Sequence, residues 1–107
     1  MVYELRTYHC HPGRLAALNR RFAEATLPIF ARHGIEAMGF WTQEGRPDVL
    51  VYLLRFPSAQ AMTAAWDSFR VDPEWKEKRA ASEADGAIVA RIESALLTPT
   101  AYSSPLG

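Results

Sequence analysis

A glutamate and an arginine stand two residues apart in the alternating stretch Tyr3-Glu4-Leu5-Arg6-Thr7-Tyr8. On an extended chain alternate side chains share a face, so Glu4 and Arg6 point the same way with Tyr8 beside them, while Tyr3, Leu5, Thr7 and His9 point the other way. Charge in the middle of a sheet costs several kcal/mol unless it is compensated. Two readings follow. The plainer is an ion-pair set inside or at the rim of an assembly, completed by Arg91 and Glu93 near the end of the chain; the sharper makes Arg6 an anchor for an acidic or phenolic ligand, with Tyr8 as a polar tip.

Other residue types invite chemistry and then withhold it. In His9-Cys10-His11 the two imidazoles would share a face, but a zinc site takes three or four protein ligands, and the remaining histidine, His33, lies beyond the first helix. No metal site is expected. Cys10 lacks the neighbouring base that activates a nucleophilic thiol. His33 falls near the carboxyl end of a helix, where a cation meets the favourable end of the dipole. Glu36, Glu44, Asp48 and Asp72 belong to strand ends, turns or caps, so no acid and base pair can be placed. A glycine-rich phosphate loop is missing as well, and no cofactor is implied. The large rings remain: Trp66 shares a helical stripe with Met62 and Phe69 and reads as core, Trp75 as the anchor of a polar helix, and Trp41 and Tyr52 as residues lining a cavity or a subunit seam.

The elements that must hold these groups are legible from two periodicities. A strand over Val2 to His9 gives way at Pro12-Gly13 to a helix whose apolar positions Leu15, Leu18, Phe22, Ala25 and Ile29 step by three and four until Gly34 ends it. Pro28 lies inside that helix, where it removes an amide donor and presses on the carbonyl of Glu24, so a bend or break is expected. Strands follow over about Ile35 to Gln43 and Asp48 to Phe56, joined through Glu44-Gly45-Arg46-Pro47. Ser58 can cap a second helix with Met62, Ala65, Trp66 and Phe69 on one stripe, Asp72-Pro73-Glu74 starts another, and a last strand lies within Ile88 to Thr98.

With 107 residues the chain suits one domain, residues 1–107. Its 12 acidic and 12 basic residues balance, which argues against nucleic acid or an anionic membrane as partner. The single cysteine and the lack of a signal-like start point to the cytoplasm. The order strand, helix, strand, strand, helix, strand is the split βαβ arrangement, and right-handed crossovers put the first and third strands at the centre of an antiparallel four-stranded sheet. Val49 to Leu54 is apolar on both faces. Two helices can cover one face, so a second copy packed sheet against sheet is expected to cover the other, giving a homodimer.

Tyr3-Glu4-Leu5-Arg6-Thr7-Tyr8, Pro12-Gly13-Arg14, Arg32-His33-Gly34-Ile35, Gly39-Phe40-Trp41-Thr42 and Asp72-Pro73-Glu74-Trp75, in this order, resemble the NIPSNAP family. That resemblance implies an α+β, ferredoxin-like subunit of a dimeric α+β barrel. It implies no single activity: the wider superfamily includes cofactor-independent oxygenases, lactone isomerases and haem enzymes, and fold kinship alone decides little about function. The functional expectation is a small hydrophobic or aromatic molecule bound between sheet and helices, with Arg6, Tyr8, His9, Trp41 and Tyr52 as pocket candidates, and with cofactor-independent oxygenase or isomerase chemistry. The alternative is a non-catalytic homodimeric binding or scaffold module.

Overall fold

The computed structural model describes residues 1–106. The chain runs β1 (Val2–Cys10), α1 (Leu15–Arg21), a π-helical segment (Phe22–Thr26), α2 (Leu27–Arg32), β2 (Glu36–Gln43), β3 (Arg46–Phe56), α3 (Ala59–Arg70), α4 (Pro73–Ser82) and β4 (Val89–Leu97). The sheet has four strands in the order β2-β3-β1-β4, and every neighbouring pair is antiparallel. This is the expected α+β, ferredoxin-like order with β1 and β3 central.

Pro28 leaves its mark one turn upstream of itself. Its ring would crowd the carbonyl of Glu24 in a regular helix. The chain widens instead, so that the amide of Leu27 donates to the carbonyl of Phe22, five residues back, and the Thr26 hydroxyl reaches the Arg21 carbonyl. A widened turn accommodates an extra residue, and Arg21 and Phe22 at its start are both buried. At the hairpin, Glu44 and Gly45 alone make the turn, with Gly45 at φ +77°, so β3 begins two residues earlier than Asp48. Pro47 is tolerated there because β1 pairs with β3 only as far as Val49.

The capping residues act as expected. Ser58 accepts from the Ala61 amide at 3.1 Å, and Asp72 accepts from the amides of Glu74 and Trp75 at 2.8 and 3.2 Å. Asp72 also receives Arg32 at 2.8 Å and His33 at 2.6 Å, tying the end of α2 to the start of α4. Those donors hold its carboxyl below the usual carboxylate range, His33 contributing most and Arg32 next.

The core lies between one sheet face and the helices. Leu18, Phe22, Ile29 and Phe30 from the first helical stretch, with Ala65, Trp66 and Phe69 from α3, pack on Leu50, Tyr52, Leu54 and Phe56 of β3. Each large apolar side chain fully buried there contributes about 1.5–3 kcal/mol. The opposite sheet face carries Tyr3, Leu5, Val51 and Leu53, half-buried within the sheet, and Trp41, which is 53% exposed. Among the described residues no helix is long and apolar enough to cross a membrane.

Candidate functional site

The register of β1 decides what its charges meet. Arg6 lies opposite Tyr52 of β3 and Ser94 of β4, and Glu4 lies opposite Leu54 and Leu96, so both project from the face that the helices cover. Glu4 is buried and accepts three hydrogen bonds: from Arg6 Nη1 at 2.9 Å, from the Trp66 indole at 2.7 Å and from the Ser94 hydroxyl at 2.6 Å. Arg91 and Glu93, expected as partners for this pair, lie elsewhere. They stand on the opposite face with His9, because odd positions of both strands point away from the helices.

Arg6 in turn bridges two phenols, with Nε on the Tyr52 oxygen at 2.9 Å and Nη2 on the Tyr8 oxygen at 3.3 Å, while its guanidinium stacks on the Trp66 ring at 4.4 Å. Burial opposes the charge, but the tyrosine oxygens and Glu4 more than offset it, and the arginine pKa is raised above its ordinary value. The guanidinium therefore stays a cation. Tyr52 is fully buried and its pKa is pushed well above the ordinary value, mainly by burial and also by Tyr8, so it keeps its proton.

Counting protons on the two phenols gives the site its character. Both oxygens accept from Arg6, and they share one hydrogen bond of 2.9 Å, which uses one of their two hydroxyl protons. The other proton remains. Tyr52 is sealed behind, whereas Tyr8 lines a cavity of about 190 Å³ between sheet and helices. The uncommitted donor therefore belongs to Tyr8 at the cavity wall.

Aromatic rings form much of that wall: Phe22, Phe30, Trp66, Phe69 and Trp75. Between them come four arginines, Arg6, Arg21, Arg70 and Arg79, and one carboxylate, Glu83. Arg21 is the residue that sequence reasoning missed. It sits three residues after Leu18 and next to Phe22, on the apolar stripe itself, and a charge in that position was the available signal.

The other candidates are dispersed. Arg6, Tyr8 and Tyr52 come together, whereas His9 and Trp41 lie on the far face of the sheet. His9 pairs with Glu93, which lowers the Glu93 pKa, with Arg91 adding to the effect. The Trp41 indole lies over Gly39, where an added Cβ would approach the ring to 2.7 Å. Cys10 is buried, and burial together with Asp48 raises its thiol pKa, leaving it a poor nucleophile. His33 is engaged by Ser68 and Asp72. Among the described residues no three His, Cys, Asp or Glu side chains gather as a metal set.

Comparison with known proteins agrees with this architecture. The NIPSNAP family profile matches residues 3–104. No curated protein is matched. Among solved structures, an uncharacterized NIPSNAP domain protein from Burkholderia xenovorans superposes with a TM-score of 0.84 at 22% identity, covering 98% of this chain and 100% of its own. A NIPSNAP family protein with unknown function from Agrobacterium tumefaciens gives 0.84 at 23% identity, covering 100% of this chain and 94% of its own. Another from the same species gives 0.82 at 17% identity over 95% of each chain. At such identities the likeness is one of fold.

Proposed function

Starting from the premise that this chain belongs to the NIPSNAP family, we propose that it binds a small hydrophobic or aromatic molecule between sheet and helices and holds an ionised or enolic oxygen of that molecule against Tyr8 and Arg6. The observation that carries this reading is the uncommitted Tyr8 proton at the wall of an aromatic cavity, backed by a guanidinium that burial does not discharge. Size narrows the occupant. An engineered apolar cavity of about 150 Å³ takes benzene, so about 190 Å³ suits one ring with small substituents.

The chemistry that suits such a pocket begins from an anion. Glu4 is fully engaged by its three donors, and Glu83 is held by Arg79 at 3.0 Å, so neither stands ready as a general base. A substrate acidic enough to enter as its phenolate or enolate needs no such base. Desolvation and a fixed oxyanion partner then favour the reactive form, which fits an oxygenase or isomerase that works without a cofactor. The bare sheet face supports a second element of the proposal, a homodimer packed sheet to sheet through Leu5, Trp41, Val51 and Leu53.

A test uses 4-nitrophenol, whose absorbance reports ionisation. Bound to the protein, its apparent pKa should fall by about one unit or more, the effect of a nearby cation and hydrogen-bond donor on an acid. Tyr8→Phe should remove much of that shift while leaving the fold intact. Binding with an unshifted pKa, or no binding of this and related single-ring phenols, would overturn the proposal. A non-catalytic scaffold is the second reading, favoured by the complete internal pairing of Glu4. If Arg6→Met removes the soluble dimer instead of ligand binding, that reading gains.

A further inference from the structure

Resting on that pocket, we infer that its ligand also carries a carboxylate and that Arg21 is the residue that receives it. Arg21 closes α1 where the π-helical segment begins, and its side chain is only 7% exposed. A guanidinium presents five N–H donors. Among the described residues one of them is matched, by the Ser82 hydroxyl at 3.2 Å, while Nε is buried without a partner. Glu83 stays 3.7 Å away and makes its closer contact, 3.0 Å, with Arg79. A buried cation with so little compensation is costly to keep and fits poorly as a purely structural feature. Burial pushes its pKa down, and Glu83 only partly counters that.

Arg6 shows by contrast what a well-compensated arginine looks like in the same wall. It has Glu4, two phenols and a stacked indole; Arg21 has an indole at longer range, one hydroxyl and a distant, shared carboxylate. Of the four arginines in the wall, Arg6 is paired with Glu4, Arg70 with Asp67 and Arg79 with Glu83, which leaves Arg21 as the under-compensated cation. A positively charged hollow lined by rings matches an aromatic acid. The planar fork of Arg21 fits a carboxylate in two-point contact, and Trp75 beneath it, 5.4 Å from the guanidinium carbon to the ring centre, offers a flat surface alongside. Glu83, partly exposed at the end of α4, occupies the neighbourhood that the ligand's carboxylate would take over.

Calorimetric titration of the full chain with 4-hydroxybenzoate and with its neutral isostere 4-hydroxybenzamide tests the assignment. The acid should bind about 30-fold or more tightly than the amide, and Arg21→Gln should erase that difference by weakening the acid far more than the amide. Glu83→Gln, at a partly exposed position that does not endanger folding, should tighten the acid by roughly two- to fivefold and leave the amide alone. Equal affinity for both compounds, or an acid preference that survives Arg21→Gln, overturns the inference and leaves the pocket standing. Should Arg21→Gln fail to fold, an acid affinity unmoved by Glu83→Gln overturns it. If neither compound binds, the pocket itself is refuted and the carboxylate site with it.

Discussion

The two faces of the central strand β1 are arranged against the ordinary rule. Toward the helices it sends Glu4, Arg6 and Tyr8, and toward the uncovered side Tyr3, Leu5, Thr7 and His9, so the more polar set lies in the interior. A sheet with one solvated face normally shows the reverse alternation. The inversion is informative on both sides. On the helix side the charges are tolerated because Glu4 and Arg6 pair with each other and Trp66, Ser94, Tyr52 and Tyr8 supply further hydrogen bonds. The far side is left with Leu5, Val51, Leu53 and Trp41, a surface that water does not favour and a second copy would.

The largest effect should come from breaking the buried pair. Glu4→Ala strands Arg6 and leaves the Trp66 indole and Ser94 hydroxyl without their acceptor, and urea denaturation should show a loss of about 3–5 kcal/mol. Replacing both charges, Glu4→Met with Arg6→Met, should recover much of that loss. A full recovery of stability together with lost phenol binding would separate the pocket's structural part from its functional one.

On the opposite face, Leu53→Lys should leave the fold intact and convert the proposed dimer to monomer in sedimentation at micromolar concentration. A charge placed in the centre of an apolar contact would weaken association by about 100-fold or more. If wild-type protein is already monomeric there, the sheet-to-sheet assembly falls.

Acid should weaken the tie between the end of α2 and the start of α4. The folded-state pKa of Asp72 lies below its unfolded value, so the stability it contributes is fully present above the unfolded pKa and is lost as pH falls through the folded one. Melting temperature should therefore decline as pH drops below about 5. Asp72→Asn keeps an acceptor for the Glu74 and Trp75 amides but not the charge, and its decline should be shallower. An identical slope in both proteins would place the acid sensitivity elsewhere.

The smallest change tests the far face again. Gly39→Ala puts a methyl where the Trp41 ring lies, so the indole must lift. Tryptophan fluorescence should shift with little change in unfolding free energy, within about 1 kcal/mol. A dimer weakened by this substitution would place Trp41 in the subunit seam.

The candidate site was partly legible. Parity along β1 separates Arg6 and Tyr8 from His9 before any coordinates are known, and the two share a wall while His9 turns to Glu93. What Glu4 would meet was not legible. Its partners Trp66 and Ser94 lie 62 and 90 residues away, and Arg91 and Glu93, equally distant, offered the same charges on the wrong parity. Arg21 was hidden for another reason: its spacing from Leu18 puts it on the apolar stripe, but a charged residue type reads as solvent-facing unless the helix layer packed over it is known.

The amino-acid sequence by itself determined the elements, their caps and their order, because helix and strand periods, the Ser58 and Asp72 caps and the turn glycines act over a few residues. It also determined the sheet order, since crossover handedness leaves few ways to arrange four strands. Which sheet face the helices cover was decided only in three dimensions. The central strands carry apolar residues on both faces, so burial alone does not choose between them, and the helices cover the face on which Glu4 and Arg6 find partners for each charge.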